Sequence, residues 1–281
     1  PVAEDALILG ISGRYEFKNK GIDVFIDAMG QLNRNNGLGK EVLAFILVPA
    51  GHAGANKELL HNLELPYQAV TSTDLYLTHY LNDSANDPVM NRIRAQKLRN
   101  SEEDKVKIFF VPSYLNGDDG VFNMPYYDLL VGMDLTAFPS YYEPWGYTPL
   151  ESLAFKVPTI TTTLAGFGLW VKEHYNMNHP GIEVIHREDG DASNVATAIA
   201  EWVKNYTQVG ETEMQKDRDN AKDVSRIALW DNLINYYKQA YTIALNQVSE
   251  RLKDLPANMN ESVSYIEKQL TVNNPSWVSV M

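Results

Sequence analysis

Ala6-Leu7-Ile8-Leu9-Gly10-Ile11-Ser12 is a short apolar run; Gly13-Arg14-Tyr15-Glu16-Phe17-Lys18-Asn19-Lys20-Gly21 is a polar loop, and apolar residues then recur at three- and four-residue spacing to Asn33. That succession reads as strand, loop and helix. The unit repeats along the chain. Further strands are expected near residues 42–49, 106–111, 135–138, 158–162 and 182–185, and helices over 21–33, 74–99, 126–131, 149–155 and 192–206. Apolar β-branched strands alternating with helices predict an α/β domain built on one doubly wound parallel sheet.

Two stretches exceed what such a sheet needs. Residues 51–104, much of them polar, lie between the second and third strands, where a single crossover helix would suffice. They form an insertion, either a surface decoration or an element that pairs copies of the chain into a homo-oligomer. From 211 to 254 the sequence reads as one long closing helix, with Ile227, Leu229, Leu233, Tyr236, Tyr237, Ala240, Tyr241, Ala244 and Leu245 in a broad apolar stripe. One domain over 1–254 and a loosely attached tail over 255–281 complete the expected organisation.

Composition removes several functions. The 281 residues contain no cysteine, so a disulfide framework, a thiolate metal site and a cysteine nucleophile are excluded. A net charge of -12, with no basic run, speaks against a nucleic-acid partner. The longest apolar runs are strand-length, well short of the roughly 20 residues a membrane span requires, so no membrane partner is expected. The chain starts at Pro1 with no signal-like segment, as an interior piece of a longer protein would. Of the six histidines, His52 and His61 lie nine apart, and His174, His179 and His186 show no ligand spacing, so no metal site is expected. Trp202, Trp230 and Trp277 read as packing residues.

Chemistry concentrates in two loops. In an open α/β sheet, ligands sit at the carboxyl ends of the strands, where the loop after residue 12 belongs. Arg14 offers a planar donor fork and Lys20 a compact charge, a pair that suits a diphosphate or simply faces solvent. The second loop is Phe138-Pro139-Ser140-Tyr141-Tyr142-Glu143-Pro144-Trp145-Gly146-Tyr147-Thr148-Pro149-Leu150-Glu151. Thr148 reads as the N-cap of a helix with Pro149 at its first position, so free N–H groups near 146–150 form an anion site. Thr148-x-x-Glu151 is also a capping box, and a capping carboxylate keeps spare lone pairs, so Glu151 suits a structural and a binding role. Glu143, among aromatic residues and prolines, is either paired or functional.

The stretches 13–21 and 141–149, with Thr161-Thr-Thr-Leu-Ala-Gly-Phe-Gly168 and Asn86-Asp-Pro-Val-Met-Asn-Arg-Ile-Arg94, resemble the signatures of glycogen synthases of the fungal and animal type. The resemblance runs from about residue 6 to about 245. It implies the Rossmann-like, nucleotide-sugar-binding C-terminal domain of a GT-B glycosyltransferase, a cytoplasmic enzyme that needs neither cofactor nor metal. By that resemblance Arg14 and Lys20 neutralise the pyrophosphate of UDP or UDP-glucose, Glu143 holds glucose hydroxyls and Glu151 accepts from the ribose. Tyr126 stacks on uracil, while Trp145, Gly146, Tyr147 and Thr148 border sugar and phosphate. Gly166 and Gly168 border the same cleft or serve only as a strand-to-helix turn. The implied reaction is retaining transfer of glucose to the non-reducing end of an α-1,4-glucan acceptor.

Two departures from the family pattern bear on this. Residues 231–245 carry only Lys238 as a cation, so activation by glucose 6-phosphate through an arginine cluster is not expected. The N-terminal Rossmann-like domain is missing, so the isolated chain is expected to be inactive or nearly so. The competing reading is a non-catalytic nucleotide-sugar or glucan-binding regulatory module. A nicotinamide-dependent dehydrogenase is disfavoured because the first loop has no G-x-G-x-x-G.

Overall fold

The computed structural model describes residues 3–35, 37–65, 76–175 and 180–253. His179, Trp277 and the tail over 255–281 lie outside the described residues. The described part falls into two compact units that divide between Ile227 and Ala228.

The first unit is built on six parallel strands: β1 (Leu7–Ser12), β2 (Val42–Leu47), β5 (Val106–Val111), β6 (Leu135–Ala137), β7 (Thr159–Thr162) and β8 (Ile182–Ile185). Their order across the sheet is β5-β2-β1-β6-β7-β8, and each neighbouring pair is parallel. Strand order therefore reverses between β1 and β6, which opens a crevice beyond their carboxyl ends.

The strands form because alternate residues must serve two covered faces. Leu7, Leu9 and Ile11, with Val42, Ala44 and Ile46 beside them and Val106, Ile108 and Phe110 beyond, enter one large core. Helices α1 (Ile22–Asn33) and α7 (Ala192–Tyr206) complete that core, α1 through Ile22, Phe25, Ile26 and Met29. On the opposite face, α4 (Tyr126–Val131) brings Leu130 against Leu47 and Val111. Trp202 packs as expected, its ring stacked on Tyr206 at 4.9 Å.

The segment 74–99 is not the single helix expected, and its first two residues lie outside the described ones. Strand β4 (His79–Leu81) pairs antiparallel with β3 (His52–Ala55), and only α3 (Pro88–Ala95) is helical, with α2 (Lys57–Glu64) preceding them. The reason lies at residues 83–88. Asp83 binds the Asn86 backbone in a turn, Asp87 caps α3, and Pro88 fits only a first helical turn. Asn56 holds the insertion together: its side chain caps α2 by accepting from Glu58 and Leu59, and donates to Leu77 O at 3.2 Å. Asn56→Ala should lower stability by about 1–2 kcal/mol, read as a lower midpoint in urea.

The stretch read as one closing helix is two, α8 (Glu211–Ile227) and α9 (Trp230–Lys253), with α5 (Tyr147–Ala154) and α6 (Gly166–Tyr175) earlier in the chain. No glycine or proline marks the break at 228–229. Helix α8 buries Met214, Ala221 and Val224. In α9 the expected stripe is exposed at Tyr236, Tyr237, Tyr241 and Leu245, and Trp230 is largely exposed, its ring against that of Tyr237 at 5.2 Å. No helix among the described residues is long and apolar enough to cross a membrane.

Candidate active site

Two loops meet in the crevice between β1 and β6. The first, Gly13 to Gly21, leaves β1; the second, Phe138 to Gly146, leaves β6. Tyr141 N–H donates to Asn19 O at 2.8 Å, which ties one backbone to the other. Gly21, at φ 69, caps α1 so close to the second loop that an added Cβ would lie 1.8 Å from Pro139 O. Only glycine satisfies both the positive φ and the contact.

The interlock sets the central pair. Lys20 Nζ donates to Glu143 Oε2, and both side chains are largely enclosed, at 16% and 21% exposed. Glu143 is thus paired, and it is paired with a residue read independently as part of the site. Its backbone is fixed from behind: Glu143 N–H donates to Leu164 O at 3.2 Å, and Gly166 N–H returns to Glu143 O at 3.0 Å. Gly166 and Gly168 stand in the first turn of α6, so the segment 166–168 begins a helix instead of forming a simple turn. Trp145 faces Phe167 and Trp170 at 5.7 Å each.

Helix α5 starts earlier than the sequence suggests. Its cap is Gly146, at φ 107, and Thr148 makes no capping hydrogen bond. The capping-box reading of Thr148 and Glu151 is therefore overturned: a left-handed glycine turns the chain into the helix two residues sooner, and Pro149 falls inside the first turn, where no N–H partner is needed. The N–H groups of Gly146, Tyr147 and Thr148 remain at that end, with the positive end of the helix dipole. Tyr147 is 70% exposed beside them.

Freed from capping, Glu151 accepts from Tyr127 OH at 3.3 Å. Burial pushes its carboxyl above the ordinary glutamate range, against a smaller opposing effect of that hydrogen bond. Tyr126 opens α4 and shares a 2.7 Å hydrogen bond with Ser12 Oγ; burial raises its hydroxyl to about 12. A pocket of about 280 Å³ is lined by Ser12, Gly13, Leu47, Tyr114, Tyr126 and Thr148. Strand ends and the start of α5 thus surround one cavity.

The site residues do not all converge. Arg14 points to solvent, 78% exposed, and pairs with Glu16 at 3.0 Å instead of joining Lys20 and Glu143. Two residues were missed in the sequence. Arg187, after β8, donates to Pro139 O and lies 5.4 Å over the Tyr141 ring, bracing the second loop; a lone arginine in a loop gives no signal. Tyr114, in the pocket lining, follows β5, and its place after a parallel strand was a usable signal. His79, the remaining histidine, is buried with Nε2 2.8 Å from Asp119 O, and its ring meets that of His52 at 4.8 Å.

The sequence profile of the family described as glycogen synthase matches residues 3–73 and 69–279. The chain belongs to the glycogen synthase family. Among similar members of that family are glycogen [starch] synthase isoform 2 of Saccharomyces cerevisiae, 28% identical over 87% of this chain, and the liver glycogen [starch] synthase of Rattus norvegicus, 27% identical over 87%. The match covers 44% of the yeast protein and 42% of the rat protein, in their C-terminal parts. A solved structure described as apo OtsA shares the fold, with a TM-score of 0.51 at 12% identity, over 88% of this glycogen synthase-family chain and 45% of its own.

Proposed function

We propose that this chain is the donor-binding half of a glucan-synthesising transferase, which binds UDP-glucose and presents its glucosyl group to an α-glucan acceptor held with the help of a second, N-terminal domain. The single observation that carries the reading is the Lys20–Glu143 pair, enclosed at the carboxyl ends of β1 and β6 beside the start of α5. A cation and a carboxylate in contact suit a ligand with a diphosphate at one end and hydroxyls at the other. Lys20, Arg14 and the amides of α5 would take the charge that develops on the departing nucleotide diphosphate, the largest electrostatic demand of the transfer. Glu143 would accept from sugar hydroxyls, Glu151 from the ribose, and Tyr126 would face the base in the pocket it shares with Tyr114. Arg14 must swing from Glu16 to contribute, a small motion for an exposed side chain. Calorimetric titration with UDP, UDP-glucose and ADP tests the reading: UDP and UDP-glucose should bind, and no heat with any of the three would sink it.

Glu151→Gln separates binding from stability. The variant should bind UDP roughly tenfold more weakly, because an amide is a poorer acceptor for ribose hydroxyls than a carboxylate. It should also melt at a higher temperature than the parent at neutral pH. Because burial raises the folded-state pKa of Glu151, the ionised form costs stability above that pKa, and the gap should close as pH falls through it. A melting series from pH 4 to 8 reads both ends.

A further inference from the structure

The insertion carries a residue that touches the first loop. Tyr15 lies between Arg14 and Glu16 and is the central residue of a three-residue turn, in which Glu16 N–H donates to Arg14 O at 2.7 Å. Its ring stacks on Phe110 of β5, with centroids 6.1 Å apart and planes 12° apart. Its hydroxyl donates to Asp87 Oδ2. Asp87 is only 9% exposed, and its other oxygen accepts from Met90 N–H at 2.9 Å as the cap of α3. Helix α3 is in turn anchored on α1, where Arg92 and Gln96 both bind the Asp27 carboxylate. Tyr15 is held at the ring by the sheet and at the hydroxyl by the insertion.

We infer that Tyr15 and Asp87 are positioning residues, by which the insertion at 51–104 sets the orientation of Arg14 and of the turn that leads to Lys20. This rests on the donor reading above for the identity of the ligand, but not for the mechanics of the loop. A turn centred on a side chain fixed at two points cannot rotate without breaking one of them. The insertion is then neither decoration nor only a surface for a second copy. Its α3 cap reaches into the site and holds the diphosphate side of it, while the base pocket at Tyr126 draws on other elements. Loss of the hydroxyl or of the carboxylate should therefore be felt by a diphosphate and not by a nucleoside.

Tyr15→Phe removes one oxygen and leaves both the stacking on Phe110 and the α3 cap. Asp87→Ser keeps a capping hydroxyl for Met90 but is too short to reach Tyr15. Each variant is titrated with UDP by calorimetry and with uridine by NMR, and amide exchange of residues 13–20 is followed in the free protein. Expected are a roughly tenfold loss of UDP affinity, uridine affinity within about twofold, faster exchange in the loop and unchanged exchange in α1, with the double variant no worse than the weaker single. UDP and uridine affinities that fall together, or loop exchange that stays unchanged, would overturn the inference. If the parent chain binds no UDP, the donor reading fails, and the exchange result alone decides the loop support.

Discussion

Lys20→Ala should lower the affinity for UDP by between roughly tenfold and a hundredfold, the range expected when a charge-assisted contact to a phosphate is removed from a partly enclosed site. Uridine affinity should stay as it was, because the proposed complex puts Lys20 on the diphosphate. The free protein explains why the effect is large. Lys20 there pairs with Glu143, so a diphosphate that took the ammonium would also release a carboxylate for the sugar. In the alanine variant Glu143 keeps its enclosure without its cation, and the site changes from balanced to anionic, which repels the ligand further. UDP-glucose should suffer at least as much as UDP. Calorimetry at constant ionic strength measures both, and an unchanged UDP constant removes Lys20 from the site.

Gly21→Ala should cost about 3 kcal/mol and abolish measurable UDP binding. The left-handed backbone alone costs an alanine roughly 1–2 kcal/mol. The added Cβ also meets a backbone carbonyl, Pro139 O, which cannot yield as a flexible side chain would. Either the second loop moves away, separating Lys20 from Glu143, or α1 shifts from its core. For a unit of this size the loss corresponds to a melting temperature lower by roughly 6–12 °C. The two routes are distinguishable by NMR, because only displacement of the second loop leaves the chemical shifts of the core residues of α1, such as Phe25 and Met29, unaltered. A variant with the parent's melting temperature and UDP affinity would contradict the contact.

The sheet was legible because its signal is periodic and local. Residues 106–111 and 182–185 are strands end to end, and 126–131 and 192–206 are helices with the expected bounds. Elements whose boundaries depend on distant contacts were not legible. Helix α6 begins with Gly166-Phe167-Gly168, a turn by composition, and is helical because its amides bind Glu143 and Trp145 carbonyls. The segment 74–99 has helical spacing, but β4 pairs with β3 some 25 residues away, which no short window reveals. In the site, residue types pointed to Lys20, Glu143 and the start of α5, and the family resemblance added Tyr126. Their pairings were not readable: Glu151 turns to Tyr127 instead of capping, Arg14 turns to Glu16, and Arg187 braces the second loop from a place without a motif.

The links that close the site span long stretches of chain. Lys20 and Glu143 are 123 residues apart, Ser12 and Tyr126 are 114 apart, and Tyr15 and Asp87 are 72 apart. During synthesis the first loop emerges with none of its counterparts, and the crevice exists only after β6 has docked beside β1. Assembly of the pocket therefore belongs to the last, slowest closures of the fold, where loop entropy is greatest. A nucleotide held there would clasp the early and late halves of the sheet to each other, so UDP should slow global unfolding as well as occupy a cavity.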